Sequence, residues 1–360
     1  MVDMDIARLR LHNQGLGGAR FDRPEEVVSW LGAVQAQDYP AAKWALGLRL
    51  RDARDADVER AFEDGAILRT HVMRPTWHFV APADIRWLLA LTAPRAHAAN
   101  AYQYRKLELD DATFSHSHDV LAKALEGGKQ LTRPELGAAL QQAGIDTRDL
   151  LRLTYIIMHA ELEGILCSGP KRGKQFTYAL LDERAPAART LPRDQALAEL
   201  TLRYFTSHGP ATVKDFVWWS GLTATDAKAG LGAVKSQLTQ EVREGQTYWS
   251  AQSTPFANDP TPTAHLLPNF DEYGVAYADR SALADPTRPG SPDPKDTVFY
   301  LGNLIVADGK AVGSWKRTLA GNAVTLTTRT FTPLTPTETA AITTAANAYG
   351  AFLDMPVVLS

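Results

Sequence analysis

Apolar positions recur at helical spacing in DIARLRLHNQ and again in PEEVVSWLGAV, where Pro24 falls near the first turn and Glu25 and Glu26 at the positive end of the dipole. ADVERAFEDG predicts a third helix stopped by Gly65 as a C-terminal cap. The pattern then changes to AILRTHVMRPTWHFV, rich in β-branched and aromatic residues, which predicts two strands with a bend or bulge at Arg74-Pro75.

Three helices followed by a strand pair outline a winged helix, and the same order recurs without detectable sequence identity. HDVLAKALEGGKQLTRPELGAALQQAGI predicts two helices, with Thr132 and Glu135 spaced as a capping box. DLLRLTYIIMHAELEGIL predicts a third, and CSGPKRGKQFTYALLD two strands joined by a basic turn. After the connector ERAPAARTLPR the order returns in QALAELTLRYFTSHG, TVKDFVWWSGL, TATDAKAGLGAVKSQL and the hairpin TQEVREGQTYWSA.

Past Pro255 the pattern is strand-like. HLLPNFDEYGVAYAD, TVFYLGNLIVADGKAVGSWKRTLAGNAVTLTTRTF and PVVLS are read as strands, with hairpin turns at Asp308-Gly309 and Gly321-Asn322. PTETAAITTAANAYGAFL is the clear helix there, and DPTRPGSPDPKD an exposed loop by composition. The expected fold class is α+β: winged-helix units at 1–115, 116–185 and 195–255, then a β-rich C-terminal domain at 256–360.

The 360 residues exceed what one hydrophobic core usually spans, and 45% apolar with 22% charged residues is ordinary globular composition. The single cysteine, Cys167, excludes an intramolecular disulfide and a zinc site built from several thiolates. MVDMDIARLRLHNQGL lacks a signal-peptide core, and no apolar run approaches the roughly 20 residues of a membrane span, so a cytoplasmic protein is expected. A net charge of −3 offers no global attraction for nucleic acid, so DNA binding would have to rest on local basic patches.

No phosphate-binding loop, dinucleotide fingerprint, HExxH or GxSxG is present, and the histidines, His116 and His118 included, lack metal-site spacing. The expectation is no cofactor and no metal. In GPKRGK, Lys171, Arg172 and Lys174 are either a solvated hairpin tip or a phosphate-contacting wing. Arg69, His71 and Arg74 on the first hairpin admit the same two readings. Trp77 and His78 nearby are more often core than stacking platforms.

Gln35 and Gln37 in VQAQDYPAAKWAL raise a different question, because amides hydrogen-bond but do not titrate. In an extended segment they project to one side, whereas in a helix they lie about 200° apart. Tyr39-Pro40 disfavours helix just before it. Both amides could then address one point, or they could cap the second helix and satisfy a loop.

The stretches VQAQDYPAAKWAL, LRTHVMRPTWHFV, LLPNFDEYGVAYADR and GKAVGSWKR, in this order, resemble the winged-helix DNA glycosylase superfamily of AlkZ and YcaQ type. The resemblance covers nearly the whole chain and is closest to the AlkZ-like branch, marked by glutamine, an apolar residue, glutamine. Here that motif falls on Gln35, Ala36 and Gln37. The YcaQ-like branch has an acidic second motif residue, which is missing.

The resemblance implies an enzyme that acts on double-stranded DNA containing alkylated purines, with Gln35 and Gln37 catalytic; a monomer is expected, and the neighbouring Asp38 and His78 are supporting candidates. It also implies a role in DNA repair or self-resistance to a genotoxin, reaching bulky adducts and interstrand crosslinks. An N7- or N3-alkylated purine is already cationic and departs without a general acid. Glutamine carbonyls could then orient water and lie against the developing sugar cation. No lysine sits in the motif, so water rather than a Schiff base is the expected nucleophile; Lys43, the nearest lysine, is structural or phosphate-facing. The rival readings are a non-catalytic winged-helix DNA-binding protein or transcription regulator, and a scaffold that binds no DNA.

Overall fold

The chain is a mixed α+β protein, and the computed structural model describes residues 5–17, 21–251 and 263–360. The boundary expected at 255/256 lies outside the described residues. Close packing groups the chain into two units assembled from separate segments: Met1–Glu59, Ala198–Trp219 and Thr223–Ser360 in the first, Arg60–Leu197 with Ser220–Leu222 in the second.

In the first unit the helix Ile6–Asn13 is capped by Asp5, and the helix Pro24–Leu31 ends at Gly32, whose φ of +81° only glycine adopts readily. A further helix, Tyr39–Gly47, was not expected from the pattern. Nearly all its side chains are buried, Trp44 and Leu46 among them, so it has no polar face to generate an amphipathic signal. Pro40 sits in its first turn, and Asp38 caps it by accepting the Ala41 N–H at 3.2 Å.

The C-terminal part of this unit is a five-stranded sheet. Its spatial order is Val357–Leu359, Ala323–Thr330, Lys310–Ala320, Leu304–Ala307, Ala264–Leu267, all antiparallel except the first pair. Asp308-Gly309 and Gly321-Asn322 make the expected turns, with positive φ at Asp308, Gly309 and Gly321. The helix Pro336–Leu353 packs Tyr349 against Trp44 and Trp315, at ring separations of 4.8 and 5.3 Å, and Phe352 against Trp44 at 5.1 Å. A Cβ on Gly47 would meet the Phe352 ring at 2.6 Å, which explains a glycine inside a helix.

HLLPNFDEYGVAYAD departs from the strand reading. Only Ala264–Leu267 is a strand; Pro268 follows, Phe270 takes a φ of +60°, and Asp271 caps the short helix Glu272–Val275. Asp271 also accepts two hydrogen bonds from the fully buried Arg49, at 2.8 and 3.0 Å.

The second unit begins with the hairpin Leu68–Val72 and Thr76–Val80, whose register runs from Leu68 opposite Val80 to Val72 opposite Thr76. A long helix, Ile85–Lys106, follows; its internal Pro94 obscures it in the sequence. Next come the helix Asp111–Leu125, the short strand Leu131–Thr132, the helices Arg133–Gln142 and Leu150–Leu162, and the strands Leu166–Arg172 and Gln175–Leu180. In their sheet the short strand pairs with Gln175–Leu180, which pairs with Leu166–Arg172. The capping box of Thr132 and Glu135 is formed as expected. Leu121, Leu125, Leu136, Leu140, Leu153, Ile156 and Leu166 fill the core beneath.

The helices Arg193–Ser207, Val213–Ser220 and Ala224–Val234 precede the two-stranded hairpin of Leu238–Arg243 and Gln246–Ala251. Among the described residues no helix is long and apolar enough to cross a membrane.

Candidate active site

Gly32 ends one helix and Asp38 begins the next, which leaves 33–37 as a short connection with Val34–Gln35 extended. Val34 and Ala36 are fully buried and fix the segment. Gln35 is buried and Gln37 exposed. The Gln35 side-chain carbonyl accepts the Gln37 N–H at 3.3 Å, so the first amide of the motif also sets the backbone that carries the second.

Beneath the motif lies a buried carboxylate. Glu272 Oε1 accepts the Gln35 N–H at 2.9 Å, and Oε2 accepts the Trp219 indole N–H at 2.9 Å. His208 Nε2 lies 3.4 Å from Oε2. Burial lowers the His208 pKa, against the opposing pull of Glu272. His208 is further fixed by Ser207 Oγ at 2.8 Å from its Nδ1 and by stacking on Tyr204. Sequence reasoning missed Glu272, Trp219 and His208. The one signal was the NFDEYG stretch, whose paired acidic residues are too common to assign from sequence alone.

Asp38 holds the helix cap with one oxygen and accepts from Asn269 Nδ2 at 3.2 Å with the other. Lys43 is clamped between Asp55 and Glu59, at 2.6 and 2.7 Å, with its side chain 7% exposed. That ammonium is committed to two carboxylates and is poorly placed to act as an amine nucleophile. Cys167 is buried and its thiol is pushed up to about 12 by desolvation, which removes it as a nucleophile at neutral pH.

In the second unit the candidate cations separate into groups. The Arg69 guanidinium lies over Trp77 at 4.0 Å and Phe176 at 4.7 Å, and Arg69 lines a cavity of about 370 Å³ together with Arg133 and Lys174. Arg133, not singled out in the sequence, is held by Thr154 and Tyr178 at 3.0 and 3.2 Å. His71 is buried, its Nδ1 2.6 Å from Glu161 Oε2 and its ring 4.0 Å from Trp77. Burial raises the pKa of Glu161, with His71 opposing.

Arg74 is half-buried in the hairpin turn. Arg172 is exposed and pairs with Glu135 at 2.7 Å, Lys171 is half-buried and Lys174 exposed. His78 is buried with its Nδ1 2.8 Å from the Thr76 carbonyl.

A non-titrating glutamine pair anchored on a buried carboxylate, in a mixed α+β chain, defines a class of site without a strong acid or base in its motif. Over residues 28–352 the chain matches the family described as DNA glycosylase AlkZ-like, and it belongs to that family. It is therefore an enzyme family member that acts on DNA. It is 26% identical over 323 residues, 85% of each chain, to an interstrand DNA cross-link repair glycosylase of Streptomyces sahachiroi. Its fold is similar to the solved Streptomyces sahachiroi DNA glycosylase AlkZ, with a TM-score of 0.78, 21% identity, and coverage of 99% of this chain and 98% of the other.

Proposed function

We propose that this protein is a monofunctional DNA N-glycosylase that hydrolyses the N-glycosidic bond of cationic N-alkylated purines, bulky adducts and interstrand crosslinks included, in DNA repair or genotoxin self-resistance. The observation that carries the reading is the Gln35–Ala36–Gln37 motif held from below by Glu272. Family membership and the curated relative named as a cross-link repair glycosylase support it.

The chemistry follows from the substrate's charge. The alkylated base leaves neutral, so the enzyme must orient water and stabilise an oxocarbenium-like sugar. Amide carbonyls at Gln35 and Gln37 supply a dipole for both tasks without a titrating base. Unmodified purines resist, because an amide cannot activate their departure. Glu272 lies in the layer below, where its carboxylate oxygen orders the motif backbone through the Gln35 N–H.

The tandem winged-helix reading of 1–115, 116–185 and 195–255, with the β-rich segment 256–360, is part of this proposal. In its support, 111–180 runs helix, strand, two helices, two strands, with the first strand paired to the last, which is winged-helix order. Arg69, Arg74, Lys171, Arg172 and Lys174 are assigned to DNA phosphates, with Arg133 added through the shared cavity. His71 is assigned to holding Trp77 under Arg69, and Asp38 and His78 to supporting the local backbone. The enzyme acts as a monomer.

The test is incubation with duplex DNA carrying N7-methylguanine, a bulkier N7 adduct or an N7 crosslink, with mass spectrometry for the free base. Release of the alkylated base without strand cleavage is expected; no release from any of the three would overturn the reading.

A further inference from the structure

We propose that His97, His159 and Glu163 form a binding site for one divalent first-row transition-metal ion, zinc being the best match to the donor set, that ties the helix Ile85–Lys106 to the helix Leu150–Leu162 in the second unit. Each residue offers one ligand atom, and these atoms lie within 4.8 Å of one another. His159 and Glu163 stand four residues apart at the end of one helix, so both side chains project from the same face. His97 reaches them from the other helix, its ring 4.4 Å from that of His159.

Two of the three donors already converge, with His97 Nε2 2.9 Å from Glu163 Oε1. Bond lengths of about 2.0–2.2 Å put the donors of a tetrahedral zinc site roughly 3.4 Å apart, so a spread of at most 4.8 Å closes with small side-chain movements.

The outer contacts also fit. His97 Nδ1 is 2.9 Å from the Tyr104 hydroxyl, and His118 Nε2 is 3.1 Å from His159 Nδ1, so both imidazoles are oriented through a second group as metal-bound histidines usually are. Phe114 stacks on His159 at 3.6 Å and walls off the other side.

His97 and Glu163 line a cavity of about 390 Å³, which supplies an entry path and room for water on the open side of the ion. Two imidazoles and one carboxylate with an open position suit zinc and the neighbouring divalent ions, and exclude a preference for calcium or magnesium. Sequence spacing alone conceals the set, because its ligands come from two helices far apart in the chain.

The test uses the full chain stripped with chelator, titrated with Zn²⁺ by calorimetry and with Co²⁺ by visible absorption. One ion per chain is expected, with a rise in melting temperature. Glu163→Gln and His97→Gln should each weaken binding by at least about 10-fold, and Tyr104→Phe by about 10-fold through loss of orientation. Glu163 is exposed, so its variant reads the site without risk to folding. Absence of a stoichiometric ion, or binding that all three variants leave unchanged, would overturn the proposal.

Discussion

Glu272 Oε1 accepts the backbone N–H of Gln35 at 2.9 Å while its other oxygen takes the Trp219 indole, so one buried carboxylate fixes both the motif and the helix beside it. An amide cannot accept both donors with the same geometry, because one of its two positions is itself an NH₂. Glu272→Gln should therefore cost about 1–3 kcal/mol of stability. Single-turnover excision of N7-methylguanine should fall as the motif loosens. Urea unfolding and rate measured on the same preparation check both; an unchanged midpoint would show that the carboxylate is not needed there.

Gln35→Ala and Gln37→Ala should each lower single-turnover excision about 100-fold, the usual effect of losing a polar contact worth roughly 3 kcal/mol in a transition state. Because Gln35 also holds the Gln37 N–H, the double variant should lose less than the product of the two single effects. A double variant with unimpaired excision would remove the basis for the site.

Replacing Lys171, Arg172 and Lys174 together by alanine should weaken DNA binding for every sequence and flatten its salt dependence by up to about three units of slope. Fluorescence anisotropy over a salt series measures this. A constant slope would mean that the tip is only a solvated turn.

Excision of N7-alkylguanine should be nearly flat between about pH 6 and 8.5, because no amide titrates and the adduct's charge is permanent. Uracil and hypoxanthine should be very poor substrates. A bell-shaped profile belonging to the enzyme would implicate a neighbouring acid or base, Asp38 and His78 first, and efficient uracil release would rule out the mechanism.

The capping box gives a pH signature of its own. The Thr132 N–H and hydroxyl, then Arg172, hold Glu135 down at about 2 from its ordinary 4.5. A lowered folded-state pKa means that its stabilisation is present above about pH 4.5 and is lost as pH falls toward 2. The difference in unfolding midpoint between the parent and Glu135→Gln should shrink over that window, and a constant difference would contradict the assignment.

Local signals were legible without coordinates. Helices with one apolar face, the Thr132 and Glu135 cap, the Leu166–Arg172 and Gln175–Leu180 hairpin, and the glycine turns at 309 and 321 each depend on neighbours in sequence, which is why their residues reveal them. So was the Gln35–Ala36–Gln37 motif, because its residues are adjacent. The helix Tyr39–Gly47 was hidden since burial on every side erases amphipathic periodicity. NFDEYG read as strand because the Phe270 backbone turn and the Asp271 pairing with Arg49 are tertiary facts. Only the folded chain could place Glu272 under Gln35, gather Arg69, Arg133 and Lys174 around one cavity, bury His71 against Glu161, and bring His97 to His159 and Glu163. Such contacts join residues far apart along the chain, and their energies are set by burial and geometry that no local pattern encodes.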